Sequence, residues 1–408
     1  MFSAQNFELT RLQSDTNLIA ANVSVAAGAY TAVKVTVAAP YGVFINSSGA
    51  TVGTCAAGKV CNITGSAATI TYTFTPPLSL AANSNQWLNL DFNYNNAIVT
   101  TTGSIDVTQS GVMTSSSTVP TGVPSGDVAN IDDFTGAVTA ISASSITLKS
   151  TVRGSLTASI SSTTPVTPVF DPQSQCTGGG SLFSCIKVGS VVSLQGILTN
   201  AGVVNATSID LIDSSPIPAD EVEGIVYPSN CNGGSNYGLI LSDSAISTSN
   251  SPLASAKFGA GVCLTLNPAA TFAIDTGILT GQPGVPISNA GFSGTGDIFT
   301  GQMVRAKVTG AATGTNGINV TATALILRFS RLTGTVNTVI GSNTFTLSGL
   351  PAYLGTIFVV PPAVETYTNA TLLEGTTSVT VGQTVSISAL YLNPTVPQPF
   401  QAAKVRVP

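Results

Sequence analysis

Residues 188–196 read VGSVVSLQG. The same pattern returns as TGQMVRAKVTG at 300–310 and as VGQTVSISA at 381–389. Each copy has a glycine turn, then alternating apolar residues, then a second segment containing Ala: NATSIDLID, NVTATALIL and QAAKVRV. Ahead of each stands another pair of signals. A G-x-V strand (Gly136–Val138, Gly224–Val226, Gly334–Val336) is followed by a strand ending apolar-x-Leu (Ile146–Leu148, Leu239–Leu241, Phe345–Leu347). Three copies in one order predict three structural repeats. Each holds five or six strands, enough to close a small barrel and remove its sheet edges. The boundaries fall at 131–215, 220–329 and 330–408. Repeat lengths differ, so this is a string of domains rather than a tight solenoid.

Upstream, other strands alternate with period two. TITYTFT at Thr69–Thr75 puts Ile70, Tyr72 and Phe74 on one face and threonines on the other. Val33–Val37 and Leu88–Tyr94 follow suit. One wet face points to antiparallel sheets, and residues 1–112 are predicted to form an immunoglobulin-like β-sandwich with Trp87 near its core. A Ser/Pro/Gly linker, 113–130, separates the two parts. The predicted fold class is therefore all-β: an Ig-like sandwich followed by three tandem small, OB-like β-barrels.

Composition agrees with this. Charged residues make up 8% of the 408, far below the usual quarter, and the helix formers are sparse. Net charge is −5 with no basic run, which argues against nucleic-acid binding and a polybasic membrane face. No run of 18 apolar residues exists, so no helical membrane span is expected. Histidine is absent, which removes Ser–His–Asp and Cys–His catalysis and mixed Cys/His zinc sites. No catalytic residue and no cofactor is predicted.

Six cysteines, Cys55, Cys61, Cys176, Cys185, Cys231 and Cys263, allow fifteen pairings. Sequential pairing is the simplest and implies an oxidising compartment; the alternative is six buried thiols. The first two bracket GTCAAGKVC at 53–61, which nearly matches a phosphate loop. Such a loop needs Ser or Thr after its lysine and a helix behind it, but Val60 and a strand-like NITGSAATITYTF follow. The stretch reads as a disulfide-tied hairpin tip.

Carboxylates gather at Asp132–Asp133, at Asp210 with Asp213, and at Asp220, Glu221 and Glu223. Two of these groups directly precede a G-x-V strand, at the joints between repeats. The plain reading is solvated inter-domain turns. The sharper one is calcium held by Asp132, Asp133, Asp220, Glu221 and Glu223, which would stiffen the string.

Several stretches carry a family resemblance: FELTRLQSDTNLI with GAYTAVKVTVAAP, LNLDFNYNN, IDDFTGAVTAISASSITLKSTVRGSLT, DEVEGIV and LRFSRLTGTV. In these the chain resembles a group of uncharacterised bacterial secreted proteins or lipoproteins. Their immunoglobulin-like domain of unknown function precedes tandem small β-barrels, also of unknown function. The resemblance implies export to the cell surface or exterior and no established activity. Family members carry a signal segment and opening strands ahead of the point where this chain starts, so a shortened first sandwich is expected. The functional expectation is a non-catalytic structural or adhesive β-protein of the envelope or exterior, with other copies of itself as possible partner. The alternative is a module binding a surface glycan or protein.

Overall fold

A computed structural model describes residues 19, 23–46, 49–57, 60–83, 87–116, 130–169, 182–199, 202–215, 217–227, 236–247, 250–256, 259–286, 290–314, 317–351, 354, 357–358 and 360–407. The chain is nearly all β and divides into two compact units. Ala20–Pro124 with Asn200–Gly202 make one, and the remainder makes the other. No helix among the described residues is long and apolar enough to cross a membrane.

In the first unit the strands are β1 (Gly28–Val37), β2 (Tyr41–Ile45), β3 (Val60–Thr64), β4 (Ala68–Leu80), β5 (Asn89–Phe92), β6 (Ile98–Val99), β7 (Ser104–Ile105) and β8 (Met113–Ser116). They pair antiparallel as β1–β4, β2–β3, β5–β8 and β6–β7. Val37, Ala68 and Ile70 from the first pair pack with Phe92, Ile105 and the buried Ala97, Val107 and Val112. These side chains form an apolar cluster of that unit. Two boundaries differ from expectation. The 88–94 strand stops at Phe92, because the Asn93 side chain accepts from the Asn96 amide and starts a helical turn. The linker loses its first residues to β8, which pairs with β5; residues 117–129 lie outside those described. Trp87 is half-buried.

The second unit begins with β9 (Asn130–Ile141), β10 (Ser145–Ser150), β11 (Gly154–Ser159), β12 (Val166–Pro168), β13 (Val191–Leu198) and β14 (Val204–Asp213). Strands β15 (Asp220–Tyr227), β16 (Asn236–Ala245), β17 (Gly261–Ile274), β18 (Met303–Gly314) and β19 (Gly317–Ile340) follow. The last are β20 (Thr344–Ser348), β21 (Ala363–Glu365), β22 (Leu372–Glu374), β23 (Thr384–Tyr391) and β24 (Phe400–Arg406). Each repeat closes the same way. In the first, β9 pairs β10 and β13, β10 pairs β11, and β14 joins β13 antiparallel and β11 parallel. The second repeats this with β15, β16, β17, β19 and β18. The third uses the end of β19 with β20, β21, β24 and β23. Five strands closed in the order 1-2-3-5-4 make an OB-like barrel. Strand β19 serves twice: Ile318–Arg328 is the fifth strand of barrel two, and Phe329–Ile340 is the first strand of barrel three.

The repeated motifs meet in space. Gly189, Gly301 and Gly382 have φ of 91°, 93° and 86°. Their amides donate to Val138, Val226 and Val336 carbonyls, and the valine amides donate back to the carbonyls of Ser190, Gln302 and Gln383. A side chain at each of these last positions accepts an amide three residues back, from Lys187, Phe299 and Thr380. Thus the glycine turn of one half-motif clamps the G-x-V valine of the other, three times. The second glycine requirement is close approach. A Cβ on Gly136 would stand 2.8 Å from the Lys149 backbone, on Gly224 2.4 Å from the Ile240 carbonyl oxygen, and on Gly334 3.0 Å from that of Ser348. First and second strands touch there: a side chain at Gly136 or Gly224 would force the facing backbone away, and one at Gly334 would press against it.

Candidate functional site

Phe134, Val222 and Leu332 precede these glycines by two residues and are buried apolar side chains. Period two then aims the flanking residues out of the barrel. These are Asp133 and Thr135 in the first copy, Glu221 and Glu223 in the second, and Arg331 and Thr333 in the third. Across the ladder their partners on the fourth strand are Ser193 opposite Thr135, Arg305 opposite Glu223, and Ser386 opposite Thr333. Each cross-strand pair is hydrogen-bonded, at 3.2, 3.2 and 2.9 Å.

These faces do not look at water. They converge on one buried ionic core. Arg305 donates from Nε to Glu221 at 2.6 Å, and from Nη1 to Glu223 and Asp243 at 3.2 Å each. Arg328 pairs with Asp133 and Asp275, lies 3.7 Å from Glu223, and donates to the Thr135 hydroxyl at 2.9 Å. Arg331 reaches the other Asp133 oxygen at 3.0 Å. Lys307 meets Asp213 at 2.7 Å. Lys404 meets Asp132 at 2.6 Å and Glu374 at 3.1 Å. Arg153 donates to the Asp132 carbonyl at 2.6 Å and lies over the Phe134 ring. Arg153, Arg305, Arg328 and Lys404 are each 1% exposed. Among the described residues the core gathers nine carboxylates and six cations, close to half the 31 charged side chains of the whole chain.

Carboxylates outnumber cations, and the excess shows in their acidity. Burial pushes Asp210 up to about 7; Arg328 pulls it down and Asp133 pushes it further up. Burial pushes Glu221 up to about 7 as well, against the pull of Arg305 and with a further push from the Asp213 carboxylate. Burial works against the charge on Arg305, but Glu221, Asp243 and Glu223 overcome it and raise its pKa. Lone buried charges of this kind would neutralise; paired ones persist.

The expected solvated turns are corrected in most positions. Asp133 is 7% exposed with a left-handed φ of 48°, and Glu221 and Glu223 are buried. Partner barrels cover them. Only Asp220 fits the solvated reading, accepting from the Ser247 amide and hydroxyl at a surface turn. For calcium, the oxygens of Asp132, Asp133, Glu221 and Glu223 are engaged by Arg or Lys. No cluster of three or more potential metal-ligating side chains stands apart among the described residues. The sequence reading missed every cation in the core, together with Asp243, Asp275 and Glu374. A signal existed: Arg305 occupies the fourth-strand position that is serine in the other two copies.

The hairpin-tip reading of GTCAAGKVC is correct in its main feature. Cys55 and Cys61 are disulfide-bonded, and strand β3 rather than a helix follows. Lys59 lies outside the described residues. Cys185 and Cys263 are also disulfide-bonded, while Cys176 and Cys231 lie outside the described residues.

No family model matches the chain. No curated protein matches it. Among solved structures, one titled drosophila Unr CSD456 is similar at 10% identity, covering 70% of this chain and 98% of that one, with a TM-score of 0.14. A likeness at that score carries no argument about fold or function.

Proposed function

We propose that this chain is a non-catalytic structural or adhesive element of a bacterial envelope or exterior, as its resemblance to secreted multi-domain β-proteins implies. The observation that carries the reading is the buried ionic core. Arg and Lys side chains that could serve chemistry or recognition are spent on holding three barrels together, and β19 runs unbroken through two of them. A chain built this way resists hinge motion between its barrels, which suits a load-bearing or spacing role. Small barrels elsewhere bind oligonucleotides. Here Arg153, Arg305, Arg328 and Lys404 are buried and cannot release counterions from phosphates. Disulfides fit an oxidising exterior. The β1–β4 ribbon pairs only with itself among the described residues, and a neighbouring chain could extend it, giving a polymer.

One observation favours the alternative, a binding module. An open cleft of about 720 Å³ runs between Pro168–Val169 and Phe272–Ile274 with the 276–286 loop. Its lining carries one aromatic ring, several prolines and the Thr276, Thr280 and Gln282 side chains, but no charge. It would suit a neutral ligand. Electron microscopy and light scattering on protein from culture supernatant and cell-surface fractions test the first reading. Filaments or sheets support it. A dispersed monomer with saturable binding on a glycan panel replaces it with the second.

A further inference from the structure

One lysine of the ionic core is placed for more than a salt bridge. Lys404 lies on β24, in register with Leu372 of β22 and Ser388 of β23. Glu374 stands two residues along β22 from Leu372, on the same face, so one ladder brings it to Lys404. Asp132 comes from another barrel, on β9. Lys404 Nζ stands 2.6 Å from Asp132 Oδ2 and 3.1 Å from Glu374 Oε1. The Lys404 and Glu374 side chains are 1% and 0% exposed, and that of Asp132 is 30%. Arg153 holds the Asp132 backbone carbonyl at 2.6 Å.

An amine, a carboxyl carbon to attack and an acid to move protons are the parts of amide formation. Attack needs nitrogen and carbon about 3–3.5 Å apart, and a nitrogen already touching one carboxyl oxygen is a small shift from that. One proton passing from the ammonium to a carboxylate leaves a neutral amine and a neutral acid, the forms that react. Low-dielectric surroundings narrow the gap between the two states. In open water the condensation runs backwards. Here the partners are held in strand ladders and the amine is shut away from solvent. Asp132, the most exposed of the three, gives a departing water its way out. The product also removes one cation and one carboxylate from a place where both are costly.

We propose that Lys404 and Asp132 condense into an isopeptide bond, with Glu374 as the proton shuttle, fastening barrel one covalently to barrel three. Starting from the ion pair, Nζ attacks Asp132 Cγ. The Nζ–Cγ bond forms, one Cγ–Oδ bond breaks, and the nitrogen gives up two protons. Glu374 takes each proton in turn and hands it to the departing oxygen, which leaves as water. Nothing else is consumed. The bond joins the first strand of barrel one to the last strand of barrel three and closes a covalent ring through all three barrels. It serves the load-bearing role proposed above, and its formation does not depend on that role.

The intact mass of the folded full chain, taken after reduction and denaturation, reads the bond directly. The wild type is expected one water lighter than its sequence, and trypsin is expected to release a branched peptide holding both Asp132 and Lys404. Lys404→Arg keeps the charge pair but is expected at full mass, because a guanidinium does not give up its proton. Glu374→Gln, checked for folding by circular dichroism, is expected at full mass because its amide cannot carry protons. A folded wild type at full mass overturns the bond without recourse to any variant. A lost water that persists in Lys404→Arg, or that maps to other residues, overturns the assignment, and one that persists in Glu374→Gln overturns the shuttle. The masses read the same whether the chain forms filaments or stays a monomer, so this proposal and the structural reading fail separately.

Discussion

Replacing Arg328 with Met removes a cation of barrel two that ties barrel one to it. Arg328 is 1% exposed and pairs with Asp133 of barrel one and Asp275 of barrel two, with Glu223 at 3.7 Å. Methionine fills much of the volume, so the cavity term is small. The electrostatic term dominates: breaking a buried pair from one side costs about 3–5 kcal/mol. Its ceiling follows from proton uptake. A buried carboxylate left without its cation takes a proton instead, which at pH 7 costs about 4 kcal/mol for a group of ordinary acidity. That cost falls by about 1.4 kcal/mol per pH unit on acidification for each group so protonated. The loss in R328M is therefore largest near neutrality and shrinks by more than half at pH 5. Urea unfolding followed by far-ultraviolet circular dichroism measures it. Trp87, the single tryptophan, belongs to the N-terminal unit. Its emission provides an internal control that should not move. A loss under about 1 kcal/mol at pH 7, or a loss equal at pH 5 and 7, refutes the reasoning.

Three alanine substitutions in the G-x-V motif should rank by the approach of the facing backbone. Gly224→Ala, with a carbonyl oxygen 2.4 Å from the new Cβ, should cost most; Gly136→Ala, at 2.8 Å, less; and Gly334→Ala, at 3.0 Å, least. Thermal melts check the order, and a reversed order would show that barrel strain is not set at this contact. Replacing Cys55 and Cys61 by Ala opens a short loop and should cost ~2 kcal/mol by loop-closure entropy. The loss should appear in the Trp87 transition and not in the barrel transition; a loss shared by both would contradict the division into two units.

The barrels were legible because their requirements are local. A glycine turn, a close-approach glycine and alternating apolar residues each leave a mark within a few positions, and the three copies corroborate one another. The ionic core was legible only by half. Asp132, Asp133, Glu221 and Glu223 stood out as acidic pairs at the joints, but their fate depends on what faces them. Arg328 meets Asp133 across 195 positions. Nothing local distinguishes an outward-facing strand residue that meets water from one that meets another barrel. The better clue was the contrast between copies. Where two carry Ser and the third carries Arg305, or two carry an acid and the third Arg331, an outer face has been given a partner.

That contrast also explains why a chain so poor in charge concentrates it here. Three barrels built from one motif present nearly the same outer face, so apolar faces alone would dock in several ways. The position three before the glycine is Asp133, Glu221 and Arg331 in the successive copies. The difference in sign lets barrel one recognise the start of barrel three, since Arg331 binds Asp133 at 3.0 Å. Polar groups buried at such joints add selectivity more than stability. Arg331→Asp makes all three positions acidic, and Arg331→Met only deletes the pair. If sign directs docking, Arg331→Asp enlarges the three-barrel unit in small-angle scattering while circular dichroism stays that of intact barrels. Arg331→Met then shifts only the melting temperature. Equal behaviour of the two variants would mean that the pair merely stabilises a docking already dictated by the apolar contacts around Val191, Ile212 and Ile326.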